Sequence, residues 1–382
     1  MEYVRLKDIG QIITGNTPPT SKPEYYGDYM PFIKATDIPI GVKCTLVTEQ
    51  SYSKLAAEKY KKSLVPKGST CVVTIGSIGK KMTYAHTDLF VNQAINAIVP
   101  KDSYDNEYIF YNVRCSVLPQ LKKLDSGTTS GRENISKTSF SSIRIPVIKD
   151  KNVQRRIGVI LSTYDSLIEN NTKRIRLLEK MAENLYKEWF VRFRFPGYEK
   201  VEMENGLPKG WKVKRYEDEL NVKYGKGLPT NRLTEDGFPV FGSNGQIGFY
   251  TSYMYDTPQI LISCRGASSG VVNISLPKSF VTNNSLVCEL TDKTESVFEY
   301  LKYYFLNTNL VQYQTGSAQP QITINNVVKL KMLVPSHEVQ CAFSKKIRVI
   351  DKEVANLQNQ NSLLARQRDL LLPRLMSGKL EI

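Results

Sequence analysis

One kind of segment is written twice in this chain, and that duplication limits its possible folds more than any other feature. "VQRRIGVILSTYDSLIENNTKRI" fills residues 153–175 and "VQCAFSKKIRVIDKEVANLQNQN" residues 339–361. In the first copy a stripe recurs at alternating 4-3 spacing: Ile157, Leu161, Tyr164, Ile168, Asn171, Ile175, Leu178, Ala182, Leu185 and Trp189. The second copy repeats it with Phe343, Ile347, Ile350, Val354, Leu357, Asn361, Leu364, Arg368, Leu371 and Leu375. A stripe sustained over four heptads or more predicts a coiled coil rather than a helix lying on a domain surface. The competing reading is two separate amphipathic helices, each packed on its own domain.

The duplication runs through the whole chain, always in the same order. "YVRLKDIGQIITGNTPPT" near the start is echoed by "WKVKRYEDELNVKYGKGLPT" from Trp211, and "MPFIKATDI" (30–38) by "FPVFGSNGQI" (238–247). "CVVTIGSIGKK" (71–81) is echoed by "ILISCRGASSG" (260–270), and "LFVNQAINAIVP" (89–100) by "SFVTNNSLVCEL" (279–290). The short β-rich runs "TCVVTIG", "QILISC", "INAIVP" and "SLVCEL" predict strands. Residues 105–124 and 295–314 carry helical spacing. The expected fold is therefore mixed α/β (α+β), as two globular domains joined by two long antiparallel helices. The expected boundaries are 1–148 and 197–336 for the domains, 149–196 and 337–382 for the helices. Pro196 is expected to end the first helix, and Pro373 to kink or end the second.

Each stripe holds one asparagine. With Ile157 facing Leu375 and Trp189 facing Phe343, an antiparallel register places Asn171 against Asn361. It also sets Ala182 on Ile350, and Arg368 over Tyr164 as a cation–π contact. A buried Asn pair specifies register at some cost in stability. Such a strut of about 33 residues reaches ~50 Å at ~1.5 Å per residue. That length sets the separation expected between the two domains.

Charge points to the partner. The 382 residues carry a net charge of +15, with 41% hydrophobic and 23% charged residues. That balance fits a globular protein with a polyanionic partner, nucleic acid before membrane. No apolar run approaches the ~20 residues needed to cross a bilayer, and "MEYVRLKDIG" lacks a secretory pattern. Six scattered cysteines without a C-x-x-C pair read as reduced thiols of a cytoplasmic protein. The two histidines, His86 and His337, suggest no metal site.

Catalytic signatures are missing. "GSIGKK" has neither the spacing nor the Ser/Thr of a phosphate-binding loop, and "NTPPT" lacks the aromatic that would stack on a flipped adenine. No cofactor is expected. What recurs instead is a set of polar loops, once per domain. "GNTPPTSK" (15–22) pairs with "GKGLPTNR" (225–232), and "IKATD" (33–37) with "FGSNG" (241–245). "GSIGKK" (76–81) pairs with "CRGASSG" (264–270), and "SGTTSGREN" (126–134) with "TGSAQPQIT" (315–323). Any one such loop is ordinary surface; four recurring in both domains of a basic chain point to DNA. The candidate contacts in the first domain are Thr17, Ser21, Lys22, Lys34, Thr36, Ser77, Lys80, Lys81, Thr128, Thr129, Ser130, Arg132 and Asn134. Those in the second are Lys226, Thr230, Asn231, Arg232, Ser243, Asn244, Arg265, Ser268, Ser269, Ser317, Gln319 and Gln321. Lys, Arg and hydroxyl groups hold phosphates, whereas Arg, Lys, Asn and Gln also reach base edges. The paired loops differ at Lys34 and Gly242, Lys80 and Ser268, and Arg132 and Gln321, so an asymmetric target is expected.

These features resemble the DNA-specificity subunit of type I restriction–modification systems. The resemblance covers almost the whole chain, most specifically "ENLYKEWFVRFRFPG" (183–197) and "LLLPRLMSGKLEI" (370–382). It implies one half-site read per domain. It also implies helices that dock two adenine-methyltransferase subunits, a motor-nuclease subunit joining for cleavage, and no catalytic activity in this chain. A stand-alone DNA-binding protein of the same architecture is the alternative. An unrecognised enzyme would be revealed by binding of S-adenosylmethionine to the isolated chain.

Overall fold

A computed structural model describes residues 1–124, 133–316 and 319–380. The chain divides into two units, Met1–Lys173 with Leu357–Ile382, and Arg174–Asn356. Of the predicted contacts, Thr128, Thr129, Ser130, Arg132 and Ser317 lie outside the described residues.

The four β-rich runs form the central strands of two sheets with one topology. In unit 1 the order is Gly10–Thr14, Ile95–Pro100, Thr70–Val73, Met82–Tyr84, every neighbour antiparallel. In unit 2 it is Leu220–Tyr224, Ser285–Leu290, Ile260–Ser263, Val272–Ile274, again antiparallel throughout. Thr70–Val73 and Ile260–Ser263 are buried along their whole length. Val72 packs beneath the helix Asn106–Ser116, while Cys71 and Val73 face a second cluster. Burial on both faces explains why these runs are continuously apolar rather than alternating. A short parallel pair also recurs: Met30–Ile33 with Phe90–Val91, and Phe238–Gly242 with Phe280–Val281. Glu2–Arg5 pairs with Arg144–Val147, and Lys212–Arg215 with Lys331–Val334, so each repeat begins and ends on one two-stranded ribbon.

The predicted helices at 105–124 and 295–314 are shorter than their patterns. Regular α-helix covers Asn106–Ser116 and Phe298–Leu306, followed by shorter turns. The two long helices span Lys151–Tyr186 and His337–Met376. Each residue of the two sequence stripes is buried or half-buried. In unit 1, Ile157 and Leu161 share a cluster with Leu372, Leu375 and Met376. In unit 2, Ala182, Tyr186 and Trp189 share one with Phe343, Ile347 and Ile350. In each unit the start of one helix therefore meets the end of the other. No helix among the described residues is long and apolar enough to cross a membrane.

Three expectations need correction, and a fourth is narrowed. Asn171 and Asn361 lie at matching depth but do not bond each other. Asn171 Nδ2 donates to Gln360 Oε1 (3.3 Å), and Asn361 Nδ2 donates to Thr172 Oγ1 (3.4 Å). Each amide reaches the other's sequence neighbour, because an antiparallel pair offsets facing side chains. Arg368 does not lie over Tyr164; its guanidinium donates to the carboxylate of Asp165, and both side chains are almost fully buried. The first helix does not run to Pro196. It passes into a π-helical turn at Lys187–Val191, and Phe193 adopts a positive φ of 58°. Phe190, Phe193 and Phe195 then close on Trp211, so aromatic packing turns the chain before the proline is reached. Of the two outcomes expected at Pro373, a kink or an end, the helix does not end there. Burial of Leu372, Leu375 and Met376 carries the helix through it, and Gly378, at φ 68°, follows the last turn. Tertiary packing here outweighs local propensity.

Each unit ties its short helix to a long helix by the same two contacts. Gln154 Oε1 accepts from the Asp105 amide (2.9 Å), and its Nε2 donates to the Ile148 carbonyl (2.6 Å). Gln340 accepts from the Val297 amide and donates to the Pro335 carbonyl, both at 2.8 Å. The Tyr111 hydroxyl donates to Asp165, as that of Tyr303 does to Asp351. Gln154 and Gln340 are fully buried. Gln154→Ala is expected to orphan an amide and a carbonyl and to cost about 1–3 kcal/mol. Hydrogen exchange should show the Asp105 amide losing protection; an unchanged exchange rate would refute the assignment.

Candidate nucleic-acid interface

The sheet topology sends the described parts of the repeated loops to the same end of the strands in each unit. In unit 1, Gly15 sits where a Cβ would lie 2.0 Å from the Val91 carbonyl oxygen. Only glycine allows loop 15–22 to press against residues 91–92. The Asn16 amide donates to the Val91 carbonyl (3.0 Å), and the Asn92 amide to the Ile33 carbonyl (3.0 Å). Lys81 Nζ donates to the Ala35 carbonyl (3.1 Å), joining loop 76–81 to loop 33–37. The Gly76 amide donates to the Glu133 carbonyl (3.0 Å), and Asn134 bridges Ile75. Burial, and then the neighbouring Tyr60, push the Tyr52 phenol upward. It therefore stays protonated and donates to the Asn16 carbonyl (2.8 Å).

Unit 2 repeats the arrangement. Gly225 faces the Thr282 carbonyl oxygen at 2.3 Å from its ideal Cβ. The Lys226 amide donates to the Val281 carbonyl (2.9 Å), and the Asn283 amide to the Lys226 carbonyl (3.1 Å). Ser263 donates to the Ser243 carbonyl, drawing loop 241–245 onto the strand that feeds loop 264–270. The Gly266 amide donates to the Pro320 carbonyl (3.1 Å), and Arg265 bridges Gln321.

The predicted residues differ in what they can offer. Thr17, Ser21, Lys22, Thr36, Ser77 and Lys80 are exposed in unit 1. Lys226, Thr230, Asn231, Arg232, Asn244, Arg265, Gln319 and Gln321 are exposed in unit 2. Among the described residues, Lys22, Lys80, Lys226, Arg232 and Arg265 appear in no ion pair. Lys34 is held by Glu49 at 2.5 Å and Lys81 by a carbonyl, so both are partly committed within the protein. Asn134, Ser243 and Ser268 are half-buried. Ser269 is a correction: it is only 1% exposed, so its side chain is not presented at the surface.

The loop 92–94 and its counterpart 282–284 sit among these segments and were not among the expected contacts. Gln93 is exposed and accepts from the Thr17 hydroxyl, while Asn284 is exposed in unit 2. The available signal was an amide-rich turn between two β runs in both copies. Burial pushes the Cys71 and Cys288 thiols up to about 12, away from the reactive thiolate form. What remains is a cluster of cations, amides and hydroxyls suited to a phosphate backbone and base edges.

The profile of the type I restriction modification DNA specificity domain matches residues 1–180 and 208–365. The type I restriction enzyme MjaIX specificity subunit of Methanocaldococcus jannaschii is 27% identical over 406 residues, spanning 99% of this chain and 93% of that protein. The HindI specificity subunit of Haemophilus influenzae is 32% identical over 182 residues, 47% of this chain and 38% of that protein. The crystal structure of a type I restriction–modification S subunit from M. genitalium superposes with a TM-score of 0.59 at 18% identity, covering 98% of this chain and 95% of that one. That last likeness concerns the fold.

Proposed function

The chain belongs to the type I restriction–modification specificity subunits, and from that premise we propose that each unit reads one half of an asymmetric, bipartite duplex site. The observation that supports this reading is the gathering of the described repeated loops at the same end of the strands in both units, with different side chains at matching positions. Cations at these loops hold phosphates, while Arg265, Asn244, Gln319, Gln321 and their unit 1 counterparts select bases.

The long helices dock two adenine-methyltransferase subunits, and a motor-nuclease subunit joins for cleavage; this chain contributes recognition and no chemistry, in the cytoplasm. Leu177 (71% exposed) and Leu363 (59%) support docking on the helices, since they occupy the same position of the repeat and leave an apolar side chain in solvent.

The test is methylome sequencing of cells with and without the chain. The expected result is a split adenine motif that disappears on deletion, and whose one half changes when loops of one unit are exchanged. Retention of all methylated motifs after deletion would overturn the reading.

A further inference from the structure

The repeat breaks at one place, and the break is charged. Between Met30–Ile33 and Thr70–Val73, unit 1 has 36 residues with seven lysines and three acids. Between the equivalent strands Phe238–Gly242 and Ile260–Ser263, unit 2 has 17 residues with no lysine or arginine and one acid, Asp256. Unit 2 fills this interval with the strand Gly245–Tyr250 of an uncharged hairpin. Unit 1 also pairs a strand here, Gln50–Tyr52, with Met30–Ile33, and then adds the helix Lys54–Lys59 and the turn Lys61–Ser63.

That insertion is built against the recognition loops. Asn16 Nδ2 donates to Ser63 Oγ (2.6 Å), fastening the turn to loop 15–22. Lys59 Nζ lies 4.6 Å from the centre of the Tyr25 ring and donates to its hydroxyl (2.5 Å). Lys22, from the loop itself, lies 5.8 Å from the centre of the same ring. One ring thus gathers a cation from each element. Lys61 and Lys62 follow, exposed and in no ion pair among the described residues. The nearby acids Glu24 and Glu58 are also exposed, and neither forms a salt bridge to these lysines among the described residues. Like charges held this close are stabilised by a bound polyanion.

We propose that the helix end and turn carrying Lys59, Lys61 and Lys62 form a phosphate-backbone clamp that unit 2 lacks. Unit 1 then adds an electrostatic anchor on the duplex to the loop cations that both units carry. This rests on the duplex recognition argued above and adds an asymmetry between its two halves.

The test is the salt dependence of binding of the full-length chain to a mixed-sequence duplex. For Lys61→Ala with Lys62→Ala, the slope of log affinity against log salt should become shallower by about 1.8, about 0.9 per phosphate contact. The loss should be the same on every duplex sequence, and thermal melting should not change. Lys329→Ala with Lys331→Ala removes equal charge beside the ribbon strand Lys331–Val334 and should leave the slope as it was. An unchanged slope in the first variant, or an equal fall in both, overturns the clamp while duplex recognition stands. A wild-type chain that binds no duplex overturns the recognition reading, and the clamp with it.

Discussion

Arg368→Ala is expected to lower the stability of unit 1 by about 3–5 kcal/mol, the cost of leaving one partner of a buried ion pair behind. Arg368 and Asp165 keep only 3% and 4% of their side-chain surface exposed. The carboxylate receives Arg368 from the second long helix and the Tyr111 hydroxyl from the short helix. Arg368 Nε also donates to Asp369 (3.0 Å), which is paired with Arg114 (3.3 Å). Alanine keeps the buried charge and removes its cation. Replacing the whole group, as Asp165→Leu, Arg368→Leu and Tyr111→Phe, removes the desolvated charges together and should recover most of the loss. Denaturant unfolding followed by hydrogen exchange at residues 157–172 reads both effects. A loss below about 1 kcal/mol in the single variant would show that the pair is not the buried pin inferred here.

Phe343→Ala should cost unit 2 a similar amount, about 3–5 kcal/mol, by a different mechanism. The ring is fully buried, with centroids 5.8 Å from Trp189, 4.9 Å from Phe190, 6.3 Å from Tyr186 and 6.0 Å from Tyr303. Four aromatic neighbours cannot collapse into the space left by a benzyl group, so transfer and cavity costs add. The readout is convenient. Both tryptophans, Trp189 and Trp211, are buried in this same cluster, so fluorescence reports unit 2. An unfolding midpoint that stays put would mean that the helix packs elsewhere.

The architecture was largely legible because a repeat compares the chain with itself. Continuous apolar runs marked the buried strands, and 4-3 spacing marked the paired helices. The charged pin was not legible. Asp165 falls beside the stripe, where an acid normally faces solvent, and the packing of Asn106–Ser116 on that flank buries it. Its recurrence as Asp351, with Gln154 recurring as Gln340 at the same spacing, was the available clue. Asn171 and Asn361 were placed at the right depth, but facing chains offset their amides by one residue.

Sequence alone determined the duplication, the strand and helix periods, and the residue types at the loops, since these follow from spacing and composition along one dimension. Tertiary structure alone decided which loops meet. Hydrogen bonds between residues far apart in the chain bring loops 92–94 and 282–284 against the repeated loops and seat the lysine turn of unit 1 on Asn16, while packing buries Ser269. Such contacts depend on how sheets and helices stack in three dimensions, and no local pattern encodes that stacking.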